Sequence, residues 1–173
     1  MNEIIIKNKN NNLKKSNKQF ELLLKISLII GIIIVSGFIF YYLLTPEPGY
    51  VTSGVLNQDK KAENYPTKAK ANESIPFYIT VGNYMNQDFS FQIKIKKGNN
   101  NTLMDPNIPS NGTLDILIGN FTLIHKENWI SERINISFSE PGENQKIIVE
   151  IWQIKNKVVE FYNKLWMWLN ITL

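Results

Sequence analysis

The chain has 173 residues, 43% of them apolar and 12% aromatic, with 19 Lys+Arg against 15 Asp+Glu for a formal charge of +4. It contains no cysteine and a single histidine, His125. Disulfides, thiolate metal sites, cysteine nucleophiles and any site built on two imidazoles are therefore excluded.

The positive excess sits at one end. Residues 1–25 hold six lysines (Lys7, Lys9, Lys14, Lys15, Lys18 and Lys25) and two acids (Glu3 and Glu21), whereas residues 26–173 hold 13 basic and 13 acidic residues. The rest of the chain is neutral, which argues against a nucleic-acid partner, since that partner calls for a basic patch on a folded surface. The Asn/Lys-rich tail is too short and polar to build a core, so residues 1–25 are expected to be a disordered basic tail on the cytoplasmic side.

Ile26 to Leu44, ISLIIGIIIVSGFIFYYLL, carries no charge over 19 residues. As a helix it spans about 28 Å, close to the hydrocarbon thickness of a bilayer. Tyr41 and Tyr42 stand where aromatic rings favour the headgroup region, and Pro46 and Pro48 stop the helix. A buried core helix is rarely apolar on every face for this length. Lysines cluster before the segment, and Glu47 is the only charge in the first 14 residues after it. The positive-inside rule then places the C-terminal portion outside the cell. A cleaved signal peptide competes with this reading, but the apolar stretch is long and no small-x-small site follows Leu44. The reading is a single-pass anchor over residues 26–44, with membrane lipid as its partner.

Residues 45–173 alternate with period two. Phe77, Ile79 and Val81 form one run. Phe89, Phe91, Ile93 and Ile95 form the clearest, against Ser90, Gln92, Lys94 and Lys96. Ile134, Ile136 and Phe138 make a third, and Leu165, Met167, Leu169 and Ile171 a last. Less regular candidates are Tyr50–Leu56, Leu114–Ile118 with Phe121–Ile124, and Lys146–Ile154. Turn signals separate them at Gly98–Asn101, Pro109–Gly112 and Pro141-Gly142. Val158–Lys164 is read as a link between strands. About seven short strands in one domain predict an all-β, immunoglobulin-like antiparallel sandwich. Trp129 and Trp152 are the expected large core residues. Trp166 and Trp168 alternate against the last apolar run. They are either covered by loops, or in the opposite register, or they form an exposed aromatic strip for a partner or membrane contact, the first alternatives being preferred.

Six Asn-x-Ser/Thr sequons, at Asn72, Asn100, Asn111, Asn120, Asn135 and Asn170, all follow the apolar segment. Seventeen asparagines lie there, and at its Ser and Thr content chance gives about two sequons. The excess makes them candidate N-glycosylation sites, with compositional accident as the alternative. Catalysis finds little support. His125 lies in a polar segment with no Ser-His-Asp context, the acids are scattered, and no phosphate loop or calcium-loop pattern is present. No cofactor or metal site is expected.

The ordered set Gly54-Val55-Leu56, Lys61-Ala62-Glu63-Asn64-Tyr65-Pro66-Thr67, Val81-Gly82-Asn83, Phe89–Ile95, Trp129 before Ile134–Phe138, Pro141-Gly142-Glu143-Asn144-Gln145-Lys146 and Leu165–Ile171 with Trp168 resembles an archaeal membrane-protein family of unknown function, the domain of unknown function 1616. The resemblance covers roughly Tyr50 to Leu173. It implies an archaeal cell-surface protein with an immunoglobulin-like extracellular domain and supplies no activity. Family members usually have Asn-His-Glu where this chain has Asn83-Tyr84-Met85, so a charge-dependent role of that triplet is not expected here. Many also have several membrane helices before the domain, where this chain has one. The motif residues Lys61, Ala62, Tyr65, Pro66, Thr67, Gly82, Asn83, Trp129, Pro141, Gly142 and Trp168 are read as fold-specifying. Proline fixes its own φ and drives Tyr65 into an extended conformation. The functional expectation is a non-catalytic, membrane-anchored binding or structural module of the cell envelope, contacting envelope proteins or glycans. The alternatives are an accessory subunit of a larger membrane complex and, less favoured, a solute receptor or enzyme.

Overall fold

The computed structural model describes the backbone of residues 2–45 and 48–173, and side chains from residue 17 onward within that range. Pro46 as helix terminator, Glu47 as a flanking charge and the side chains of Lys7, Lys9, Lys14 and Lys15 lie outside the described residues. The chain divides into two units, Met1–Glu47 and Pro48–Leu173.

The first unit is one helix, α1, Asn2–Leu44. The tail expected to be disordered over residues 1–25 is thus corrected to helix over residues 2–25. The physical reason is continuity: neither Gly nor Pro occurs before Gly31, so a helix nucleated in the apolar segment meets no breaker upstream, and propagation costs less than nucleation. Lys25 and Glu21 support this turn with an i,i+4 ion pair of 2.8 Å. The stretch Asn17–Leu44 is long and apolar enough to cross a membrane, and none of it is buried against protein.

The second unit is an immunoglobulin-like β-sandwich. Its strands are β1 (Val51–Leu56), β2 (Lys68–Lys70), β3 (Ile75–Asn83), β4 (Phe89–Gly98), β5 (Thr113–Leu123), β6 (Glu127–Ile130), β7 (Ile134–Ile136), β8 (Gly142–Lys155) and β9 (Val158–Thr172). Nine strands among the described residues replace the expected seven, because short β2 and β6 lack an alternation long enough to read. One sheet runs β1-β3-β6 with β7 also on β3, and the other runs β2-β9-β8-β4-β5. All pairings are antiparallel except β2 with β9. The first strand region therefore serves both sheets: β1 joins β3, and β2 crosses to lie parallel to the last strand. Together with the β4, β8, β9 succession, this arrangement is that of the immunoglobulin fold.

The core follows the period-two pattern. Phe77, Ile79 and Val81 of β3 face Phe89, Phe91, Ile93 and Ile95 of β4 and Ile147, Val149 and Ile151 of β8, all at 1% exposure or less. The expected tryptophans do not fill it. Trp129 is half-buried and packs from the margin on Phe121 (4.5 Å between centroids) and Phe91 (5.8 Å). Trp152 lies on the outer face, where Lys94 Nζ sits 3.6 Å from its ring. Strand parity explains both: Trp152 is even-numbered beside inward Ile151, and β6 lies at a sheet margin.

Val158–Lys164 is strand, not link. Asn156 and Lys157 take φ of 52° and 66°, the two consecutive left-handed residues of a type I′ hairpin. That turn joins β8 directly to β9, which begins at Val158. Two β-bulges occur where β4 pairs with β5. They interrupt the regular ladder on the strand that ends the five-stranded sheet.

Replacing Phe91 by Ala removes a ring shared by Phe89, Phe121 and Trp129. Denaturant unfolding of the full chain in detergent, followed by tryptophan emission, is expected to show a loss of about 3–5 kcal/mol.

Candidate functional site

The motif segment between β1 and β2 is organised by a residue outside the motif. Asn57, 6% exposed, accepts the Asp59 and Lys61 amides on Oδ1 at 2.9 Å each and donates from Nδ2 to the Glu63 carbonyl at 2.8 Å. Tyr65 donates its phenol to the Val55 carbonyl at 2.7 Å. Thr67 accepts the Asn170 amide at 2.9 Å, which starts the β2–β9 pairing. Lys61 and Ala62 are exposed. Lys61, Glu63, Pro66, Lys68, Glu73 and Arg133 line a depression of about 520 Å³ with charges of both signs.

Asn83, fully buried, ends β3 with a similar device. Its Nδ2 donates to the Gln87 and Leu123 carbonyls at 2.9 and 2.8 Å, and its Oδ1 accepts the Met85 amide at 2.9 Å. It thereby ties β3 to the end of β5. Beside it, a Cβ on Gly82 would collide with the Asn128 and Thr52 side chains of the flanking strands. Tyr84 stacks on Tyr50 at 5.1 Å. The Met85 carbonyl lies 2.6 Å from His125 Nδ1, so the exposed imidazole is held as a donor by main chain. Pro141 is exposed and Gly142 opens β8.

A second groove of about 590 Å³ follows the open margin between β5 and β6–β7. Ile116, Ile118, Phe121, Trp129, Ile130 and Ile134 give it an apolar lining, and Arg133 borders it. Arg133 is the one arginine of the chain and stands at both depressions.

Sequence reasoning missed the densest polar cluster. Glu150 is fully buried, on the outer face of β8. The loop 99–112 folds over it. Ser110 donates both its amide and its hydroxyl to Glu150 Oε1 at 2.7 Å, Lys96 Nζ lies 3.0 Å from Oε2, and Trp152 Nε1 donates to Oε2 at 3.0 Å. Lys96 also donates to the Ser110 carbonyl at 2.7 Å, and buried Lys164 donates to the Ile108 carbonyl at 2.9 Å. The loop is thus strapped across β4, β8 and β9. It also buries Ile148, and glycine is required where it closes: a Cβ on Gly112 would stand 2.8 Å from the Lys97 carbonyl. Burial pushes the Glu150 carboxyl up. The Ser110 and Lys96 hydrogen bonds outweigh it, so the group titrates below the ordinary value of 4.5. The signal available in sequence was weak: an acid breaking the apolar run Ile147–Ile151, opposite lysines on neighbouring strands.

Trp166 and Trp168 are exposed, at 40% and 60%. The preferred reading, coverage or opposite register, is corrected: the loop reaches Lys164 and leaves both rings in the open, with Leu169 and Ile171 facing the core. Among the sequons, Asn72, Asn100, Asn111, Asn120 and Asn135 are exposed and Asn170 is half-buried. Asn111, Asn135 and Asn170 each lend Oδ1 to a neighbour: the Leu103 amide, the Ser74 hydroxyl and the Asn144 amide. Among the described residues no group of three or more His, Asp or Glu side chains converges as a metal site. Asp105 caps the Asn107 amide, and Asp115 pairs with Lys97 at 2.7 Å.

No family model matches the chain, and no curated protein matches it. Solved structures do. The CARDB domain of the PF1109 protein from Pyrococcus furiosus, in complex with di-metal ions, is 15% identical over 75% of this chain and 93% of that one, with a TM-score of 0.46. A β-glucosidase from Listeria innocua in complex with glucose is 9% identical over 71% of this chain, with a TM-score of 0.43. The β-glucosidase EmGH1 from Erythrobacter marinus is 6% identical over 72% of this chain, with a TM-score of 0.45. The chain spans 16% of the length of each glucosidase.

Because the folded-state pKa of Glu150 is lowered, its stabilising contribution is present above about pH 4.5 and is lost as pH falls through the folded value. Glu150→Gln leaves Lys96 without its counter-charge and is expected to cost about 3 kcal/mol at pH 7. Paired urea titrations should show the gap between wild type and variant narrowing as pH is lowered below 4.5.

Proposed function

We propose that the protein is a membrane-anchored module whose β-sandwich stands outside the cell and works by binding or by structural contact in the envelope, without catalysis. The observation that carries the anchoring is Asn17–Leu44, a 28-residue helical stretch apolar enough to cross a membrane, whose most apolar window is not buried among the described residues. Such a surface is stable in hydrocarbon and unstable in water. The lysine-rich flank orients the N-terminus toward the cytoplasm. Six sequons confined to the other side agree with that orientation.

Support for a non-catalytic role comes from the fate of the ionisable groups. Glu150, Lys96 and Lys164 are consumed in strapping the loop, and His125 is held by a main-chain carbonyl. Reactive groups in enzymes are presented to a substrate; these are engaged internally. The resemblance to the archaeal domain family agrees with a surface module and adds no activity.

The full chain, tagged at its N-terminus, can be placed in sealed right-side-out membrane vesicles. Added protease is expected to remove the β-sandwich and leave the N-terminal tag protected, while alkaline carbonate leaves the chain in the membrane. Loss of the tag with retention of the domain reverses the orientation. Release by carbonate rejects the anchor.

A further inference from the structure

Trp168 is an indole left 60% exposed on a strand whose inward residues Met167 and Leu169 pack on the core. Trp166, 40% exposed two residues earlier on the same face, makes this an aromatic strip rather than a lone exposed ring, and such a strip marks a contact surface. The residues around it are specific. Register places Lys146 of β8 opposite Trp168. Lys146 Nζ donates to the Asn99 carbonyl at 2.5 Å, which holds the start of the loop 99–112 beside the indole's strand. There Thr102 donates its amide to the Asn99 carbonyl at 3.1 Å, and Asn99 donates its amide to Thr102 Oγ1 at 2.8 Å. These bonds close a tight turn with Asn100 at its second position. Asn100, Asn144, Lys146 and Trp168 together line one shallow depression of about 330 Å³.

Asn100-Asn101-Thr102 is also a sequon. The Asn100 carboxamide is exposed and, unlike those of Asn111, Asn135 and Asn170, lends its oxygen to no described neighbour. An exposed sequon asparagine and an uncovered indole therefore share one depression, and the Lys146 bond fixes their proximity. We infer that Asn100 is an N-glycosylation site whose first sugars lie over the Trp168 ring, so that the chain's own glycan occupies this depression. The inference rests on the extracellular placement proposed above.

The chemistry needs a lipid-linked oligosaccharide phosphate as donor, presented by a membrane glycosyltransferase. Asn100 Nδ2 forms the new bond to the anomeric carbon, and the bond from that carbon to the phosphate oxygen breaks. The lipid phosphate leaves with the electron pair, and one Nδ2 proton passes to a base of the transferase. Once attached, the pyranose presents its weakly positive C–H face to the negative face of the indole. Sugar hydroxyls meet the Asn144 carboxamide and the remaining Lys146 ammonium protons at the rim.

The test is expression of the full chain in a host with N-glycosylation on the outer membrane face, with three readouts. Glycopeptide mass analysis should find sugar on Asn100. Acrylamide quenching of tryptophan emission should rise in Asn100→Gln relative to the glycosylated wild type, and that rise should vanish when Trp168→Ala is present in both. Protease accessibility in sealed vesicles reports the side of the membrane. An unmodified Asn100 in an externally accessible domain overturns the inference and leaves the placement standing. So does a modified Asn100 whose removal leaves quenching unchanged, since the sugar then does not cover the ring. A domain protected on the cytoplasmic side overturns the placement and the inference with it.

Discussion

The two sheets are held together chiefly by the interlock of apolar side chains, and Phe91 is where that interlock concentrates. It projects from β4 of the five-stranded sheet, meets Phe89 and Phe121 on its own sheet, and reaches Trp129 on β6 of the other. With no cysteine to cross-link β3 to β8, cohesion rests on area removed from water and on close packing. That requirement accounts for the alternating inward apolar residues of β3 and β4 and for inward Ile147, Val149 and Ile151 of β8. A slip of one residue in any of them would turn its apolar side chains to the outside. It also accounts for the buried carboxamides of Asn83 and Asn57, which satisfy turn backbone that the sheets leave unpaired.

Once the interior is filled from one face of the five-stranded sheet, the other face needs its own solution. Its centre is covered by the chain itself. The loop 99–112 lies over Ile148 and Glu150, fastened by a carboxylate that accepts three bonds from Ser110 and Trp152 and pairs with Lys96. Such a strap is sensitive to the loss of either charge, because the survivor stays buried. The β9 side, with Trp166 and Trp168, receives no protein cover, and an attached glycan there would complete the enclosure that the loop begins.

Much of this is legible in the amino-acid sequence. The apolar segment, the period-two runs around Phe77, Phe89 and Ile134, and the turn at Gly98–Asn101 all map onto elements in place, because each is dictated by residues adjacent in the chain. Where expectation and structure differ, a longer-range effect overrides local composition. The polarity of the tail points to disorder, whereas helix propagation from a strong neighbour decides its backbone. Val158–Lys164 reads as a link because an Asn-Lys hairpin turn lacks the usual glycine signal. Size points to Trp129 and Trp152 as core residues, but parity and position at a sheet margin decide where they go.

The amino-acid sequence by itself determined the class of the molecule: an apolar helix ahead of an all-β domain, with a neutral domain and a basic N-terminal end. Those are properties of local composition and period. Only the tertiary structure decided which polar groups became structural. Glu150 meets Ser110 across 40 residues and Lys96 across 54, and Asn83 reaches Leu123 across 40. The tertiary structure likewise decided that Asn100 and Trp168 would border one depression. Contacts of that kind arise from sheet register and loop closure, so no window along the chain contains them.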